Sequence, residues 1–205
     1  ALFHVKQGQY GRSYKIWVND KLVAAYDTPD GSRAEHTKLI DTGTIAAKLG
    51  ESAQNNGCTV EIGNTWIRIK NANTIKTQDG FNNQALVGIK DTVQKFSLLP
   101  ESAPDGYIVK VAGDPKGNSA GSYYVSYSAA ESIWKECAAP NIPDALDPAT
   151  MPHILVREAD GSFTFKRAEW GKRETGDEDS NPLPSFVNHT LNDIFFYRNR
   201  LGFLS

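Results

Sequence analysis

The sequence is short of nearly every feature that announces a chemistry. Cysteine occurs only as Cys58 and Cys137, too few for a disulfide framework. One long-range bridge between them is open, and two reduced, inert thiols are the simpler expectation. No stretch approaches the roughly 18 consecutive apolar residues of a membrane helix, so no membrane-spanning segment is expected. Neither sign of charge dominates. The 22 lysines and arginines stand against 24 aspartates and glutamates, a net of -2, and such a balance sets up no field to gather nucleic acid. The distribution is uneven, with 12 basic and 9 acidic groups in residues 1–100 and 10 and 15 in residues 101–205. No G-x-G-x-x-G opens a helix, which leaves a dinucleotide fold without an anchor. His4, His36, His153 and His189 never fall at metal-ligand spacing. Internal repeats and low-complexity tracts are missing too. No cofactor and no metal is expected.

What remains is an ordinary globular composition, 40% apolar and 22% charged over 205 residues, enough for one domain or two small ones. SYKIWVND alternates, with Tyr14, Ile16 and Val18 on one face, and Asn19-Asp20 turns it back into KLVAAYDTPDG as a hairpin. In residues 37–56 the period changes. Leu39, Ile45, Leu49 and Ala53 take helical spacing, Asp41 or Thr42 caps the start, and Gly57 stops it. Gly43 and Gly50 weaken that helix. CTVEIGNTWIRIKN predicts a second hairpin turning on Gly63-Asn64. Residues 74–77 read as a strand, and residues 81–96 as a helix carrying Leu86, Ile89, Val93 and Phe96, closed by Pro100. ESAPDG (101–106) reads as a loop and hinge. YIVKVAG, SYYVSY and IWK read as strands, with GDPKGNSAG (113–121) a turn-rich loop. HILVREADGSFTFKRAEW is the clearest hairpin, turning on Asp160-Gly161 with Ile154, Val156, Phe163 and Phe165 on its arms. The final segment begins either a helix near Leu191 or a strand at Ile194. The sum is α+β, mostly antiparallel β hairpins with one or two short helices. It divides into a mixed α+β subdomain at 1–100 and an antiparallel β-rich subdomain at 101–205.

Few constellations suggest chemistry. GDPKGNSAG lacks the Gly-Lys-Ser/Thr ending of a phosphate loop and reads as a tight connection between strands. Glu174, Asp177, Glu178 and Asp179 are dense enough to attract a hard cation. They lack the alternate ligands, central glycine and closing glutamate of a calcium loop, and read as a solvated acidic loop better suited to a basic partner surface. Trp66, Arg68 and Lys70 share one strand face, a stripe able on paper to touch phosphate and bases. A half-buried strand dressed with long side chains is the plainer reading. No residue stands out as catalytic, although the carboxylates are numerous enough to leave a glycosidase pair open.

Both ends of the chain, ALFHVKQG and NDIFFYRNRLGFLS, have an apolar, mid-element character, and the expectation is an internal piece of a longer protein. The ordered blocks VQKFSLLPESAPDGYIVKVAG, SYYVSY, IWKE, ATMPHILVREADGSFTFKRAEW and GDEDSNPLPSFVNHTLNDIFFYRNRLGFLS resemble the tail tubular protein B family. These are the nozzle proteins of short-tailed, T7-like bacteriophages. The resemblance runs from about Ile75 to Ser205 and is weaker over the first seventy residues. It implies a β-rich, platform-like region ahead of a propeller-like part. It also implies a virion tail component assembled in the bacterial host cytoplasm as a hexameric ring. Such a ring lies below the adaptor protein, supports tail fibres, and encloses a channel that double-stranded DNA crosses without sequence-specific binding. No catalytic motif carries over onto numbered residues, so an enzyme is not expected. A carbohydrate- or receptor-binding module, or a polysaccharide hydrolase of the tail, is the alternative. A ring needs aromatic subunit contacts. Trp17, Trp66, Tyr123, Tyr127, Trp134 and Trp170 are the candidates, with Asp177, Glu178 and Asp179 beside them.

Overall fold

Residues 1–113 and 121–205 are described by the computed structural model; most of the GDPKGNSAG loop lies outside the described residues. Two units form, Ala1–Lys135 and Glu136–Ser205. In the first, chain order is β1 (Leu2–Val5), β2 (Ser13–Val18), β3 (Lys21–Asp27), α1 (His36–Leu39), α2 (Thr42–Asn55), β4 (Val60–Ile62), β5 (Trp66–Ile69), β6 (Ile75–Gln78), β7 (Leu86–Ile89) and β8 (Thr92–Val93). A 3-10 turn at Phe96–Leu98 follows, then β9 (Ile108–Val111), β10 (Tyr123–Ser128) and β11 (Ile133–Cys137). The strands make three sheets, ordered β3-β2-β6, β4-β5-β1-β7 and β11-β10-β9-β8. Pairing is mostly antiparallel, with β8 running parallel to β9. The expected fold class, α+β with mostly antiparallel β hairpins and one or two short helices, is the one observed, with two helices.

The middle sheet is covered on both sides. Phe3, Val5, Ile67, Ile69 and Leu86 join a core with Ile45, Ala46, Leu49 and Ala53 of α2 and with Tyr14, Ile16 and Val18 of β2. Leu2, Trp66 and Ile89 point the other way, into a second core with Tyr107, Val109, Val111, Val125 and Tyr127. Successive residues of a strand face opposite sides, so Leu2 and Phe3 serve different cores. Residues 101–135 thereby share a core with residues of β1, β5 and β7, and the first unit runs past the division expected at residue 100.

Local chemistry explains most of these elements. Asn19 and Asp20 sit at φ +51° and +62°, the two left-handed positions that a tight hairpin matching strand twist requires. Asp41 caps α2, its Oδ1 accepting from Gly43 N at 3.0 Å and Thr44 N at 3.2 Å. At the far end Gly57 takes φ +81°. Its N–H reaches Gln54 O and that of Cys58 reaches Ala53 O, the paired bonds that satisfy the last carbonyls of a helix. Gly50 has a packing role: a Cβ there would lie 2.4 Å from Ile62 Cδ1.

Two expectations fail. The helix expected over 81–96 is absent, replaced by a loop, β7, β8 and the 3-10 turn. The cause is Asp79, which is fully buried. Its Oδ1 accepts from Phe81 N (2.6 Å) and Asn83 N (2.9 Å), and its Oδ2 from Ala85 N (2.6 Å) and Leu86 N (2.9 Å). Those donors are diverted from any helical ladder, and Asn82 and Asn83 stand at positive φ. The apolar spacing that suggested a helix serves β7 and β8 instead. The second failure is the turn after β4. The bond from Gly63 N to Trp66 O (2.9 Å) encloses Asn64-Thr65, one position later than expected. Gly63 is needed for space, since a Cβ there would strike the Trp66 indole at 2.1 Å.

The second unit holds two hairpins, β12 (His153–Arg157) with β13 (Phe163–Arg167), and β14 (Asp193–Tyr197) with β15 (Arg200–Leu204). The first turns through Asp160 and Gly161 as expected. Gly161 sits at φ +86°, and Glu158 N donates to Ser162 O at 2.9 Å. The final segment is a strand from Asp193, so of the two alternatives near Leu191 the strand is realised. The segment before β12 is tied to the segment between the hairpins: a bridge pairs Ala138 with Gly176, and Arg173 N donates to Asp144 O.

Candidate assembly surface

The aromatic candidates separate by burial. Trp66 is 9% exposed and Tyr127 5%. Both are core residues of the first unit and offer no ring face to another chain. Trp134 is half-buried. Its Nε1 donates to Pro100 O at 2.8 Å, and its ring meets Tyr127 edge-on at 5.3 Å. Tyr123 packs against the same core. The Trp66–Arg68–Lys70 stripe is likewise interior at its aromatic end. Arg68 lies over the Tyr107 ring at 5.4 Å and pairs with Glu61 at 3.5 Å, as the plainer reading held. Trp17 carries Lys76 over its ring at 5.2 Å. Trp170, in the second unit, is half-buried and tilts against Phe186 at 6.0 Å.

The acidic run is structured rather than loose. Asp177 Oδ1 accepts from Ser180 N at 2.8 Å and Ser180 Oγ at 2.7 Å, closing a turn. Glu178 Oε1 takes the Nη1 of the nearly buried Arg173 at 3.0 Å. Asp179 is exposed. No cluster of three or more His, Cys, Asp or Glu able to hold a metal occurs among the described residues. Both cysteines are free thiols. Burial, with a smaller push from Glu136, raises the Cys137 pKa, which disfavours the reactive thiolate. No described helix is long and apolar enough to cross a membrane.

The first unit has a cleft of about 880 Å³, with His4, Lys6, Val87, Leu98 and Glu101 among its lining. Glu101 is the single carboxylate there among the described residues, whereas hydrolysis of a glycoside uses two that face each other. His4 titrates low, through burial first and Lys6 second, so it stands neutral at pH 7.

The distinctive surface belongs to the second unit, on residues that the search for tryptophan and tyrosine passed over. Register puts Leu155, Phe163 and Phe165 on one face of β12–β13. Phe165 is 71% exposed and the other two are more than half exposed. His153 stacks on Phe165 at 5.2 Å, and Arg157 and Arg167 share that face. On β14–β15 one face carries Ile194, Phe196, Leu201 and Phe203, and the other Phe195, Tyr197 and Leu204 together with the charged Asp193 and Arg200. Phe196 is 79% exposed. The sequence signal was present, since IFFY has no polar alternation and such strands are those covered on both faces. A surface so rich in contiguous large apolar side chains marks an interaction site.

The second unit's hairpins turn Leu155, Phe163, Phe165 and Phe196 outward, a surface suited to contact rather than to catalysis. The sequence model of the bacteriophage nozzle protein family matches residues 1–205, and the chain belongs to that family. It is 43% identical over 212 aligned residues to the tail tubular protein gp12 of Escherichia phage T7, a match covering 100% of this chain and 27% of that relative. The chain thus spans about a quarter of the relative's length. The resemblance read from residues 75–205 extends over the first seventy residues as well. Family membership makes this a structural tail component of the virion.

Proposed function

We propose that this segment contributes to a hexameric nozzle ring at the distal end of the phage tail, assembled in the host cytoplasm. In this reading the ring meets the adaptor above it, carries tail fibres, and surrounds a channel through which double-stranded DNA leaves. The observation that carries the reading is the family match over residues 1–205, joined to the outward apolar side chains of β12–β13 and β14–β15. Closing a ring of identical subunits takes two different patches on each. Trp17, Tyr123, Trp134 and Trp170 have partly exposed rings to give to such patches. Asp179 is free to meet a basic neighbour. The segment acts by shape and contact, without catalysis. DNA slides past rather than binding, in keeping with the acidic excess of residues 101–205.

Negative-stain electron microscopy after size exclusion tests the reading on the protein as the phage makes it. Closed six-fold rings are expected. A strictly monomeric particle, both alone and with the adaptor protein, would refute the ring.

A further inference from the structure

We propose that the cleft of the first unit is a docking site for an extended segment of a partner polypeptide. Such a segment brings an apolar side chain onto Val87 and Leu98, a carboxylate to Lys6 and a cationic group to Glu101. The site goes beyond the ring and holds whether or not subunits close one.

The cleft lies where a core runs out. Residues 2, 4 and 6 of an extended chain share a face. Leu2 on that face is covered, with Trp66 and Ile89, by Tyr107, Val109 and Tyr127. Next along it come His4, in register with Val87, and then Lys6, and these line the cleft of about 880 Å³. Ligand sites commonly have volumes of about 300–1,000 Å³. Residues 97–102 line it as well, and that segment is anchored. Trp134 Nε1 donates to Pro100 O at 2.8 Å, and Thr65 Oγ1 lies 3.4 Å from Ser102 Oγ. A wall fixed beforehand gives up little freedom on binding.

The chemistry of the cleft is mixed. Leu98 is 53% exposed and Val87 is half-buried. Lys6 and Glu101 are exposed, and neither has an ion-pair partner among the described residues. Both act on His4, whose pKa is lowered by burial first and by Lys6 second, with Glu101 opposing. Yet the two charges do not pair with each other. Neutral His4 offers one ring donor and one ring acceptor beside them. Two other classes of ligand fit worse. Nucleic acid calls for a cationic groove with stacking rings, and here a carboxylate accompanies the single lysine among the described lining residues. A lipid tail would strip water from Lys6 and Glu101 without replacing it. A polypeptide supplies both signs of charge beside an apolar side chain. An apolar centre with a charged rim is also the make-up of a contact between folded partners.

Selection of mRNA-displayed random heptapeptides on the 205-residue chain, with the Lys6→Gln/Glu101→Gln double variant as counter-target, tests the proposal. Both side chains are exposed, so the variant should keep the parent's urea midpoint. The expected result is enrichment, on the parent only, of peptides in which an acidic and a basic residue flank an apolar one. Either single variant should weaken a selected peptide about three- to fivefold by calorimetry. The peptide should also shift the backbone amide resonances of His4, Lys6, Val87 and Leu98. Equal enrichment on both targets, or shifts confined to the second unit, would overturn the proposal. So would an affinity unchanged in both single variants. Decanoate or a short oligodeoxythymidine binding at the same amides, tighter than any selected peptide, would hand the cleft to lipid or nucleic acid and overturn it equally. The ring itself is judged by microscopy, so either idea can fail alone.

Discussion

Replacing Asp79 with alanine should cost the first unit more than any surface change. The carboxylate is fully buried and takes four backbone N–H donors at 2.6 to 2.9 Å. Phe81 N and Asn83 N lie in part-buried positions, where water can replace the lost oxygen. Ala85 N and Leu86 N are bound in buried positions and would be left without acceptors. An orphaned buried donor costs about 1–3 kcal/mol, so two such losses, with the weaker pair added, give about 3–5 kcal/mol. With a urea m-value of about 2 kcal/mol/M, the midpoint should fall by about 2 M, read by near-ultraviolet circular dichroism. A pH arm separates this cause from lost packing. Burial by itself raises the pKa of Asp79, but the four N–H groups outweigh it and hold the carboxyl below its ordinary 3.8. A depressed carboxyl pKa supports the fold above the unfolded value and withdraws support as pH falls through the folded value. The gap between Asp79 and Asp79→Asn proteins should therefore be full at pH 7 and shrink below pH 3.8. A loss under 1 kcal/mol for alanine, or a gap indifferent to pH, would refute the reasoning.

Three further outcomes follow from the same structure. Burial pushes Tyr107 up to about 12 while its hydroxyl donates to Lys90 O at 2.8 Å. The raised value means that the stability it gives is whole below pH 10 and lost as pH climbs toward 12, by about 2–3 kcal/mol; Tyr107→Phe should remove that alkaline decline from a thermal melt. Gly50→Ala should lower stability by about 1–2 kcal/mol despite alanine's better helix propensity, because the new methyl meets Ile62 at 2.4 Å; a stabilised variant in urea titration would contradict the packing. Phe165→Asp should leave the unfolding free energy of the first unit, from urea titration, unchanged within about 0.5 kcal/mol while reducing incorporation into tails, measured by quantifying the protein in purified particles.

Much of the fold was legible in short-range pattern. Tyr14, Ile16 and Val18 alternated, and the Asn19-Asp20 and Asp160-Gly161 turns had the residues that left-handed positions favour. The long helix was legible by period and by its Asp41 cap. Residues 81–96 were not legible because their apolar spacing fits a helix as well as two short strands. The deciding partner, Asp79, acts through backbone donors that no side-chain pattern displays. Gly50 and Gly63 looked like a weakness and a turn, yet each makes room for a side chain, Ile62 or Trp66, brought close by the fold. At the surface the choice of aromatic type misled. Trp66 and Tyr127 belong to a core that forms only when β5 meets the β9–β10 sheet. Apart from Tyr10 and Tyr197, the large exposed apolar groups are phenylalanine, leucine and isoleucine, residues that sequence reasoning assigns to interiors. Their exposure in this chain is what marks the hairpins as a contact surface.

The central claim is that this is a tail component whose second-unit hairpins are buried in the finished structure. Hydroxyl-radical footprinting of intact tails beside the isolated 205-residue chain tests it most directly, with oxidation of Phe163, Phe165 and Phe196 quantified by peptide mass spectrometry. The expected result is strong oxidation of all three in the isolated chain and loss of most of it in tails. Equal oxidation in both samples would contradict the claim, because the apolar faces would then meet water in the virion as well.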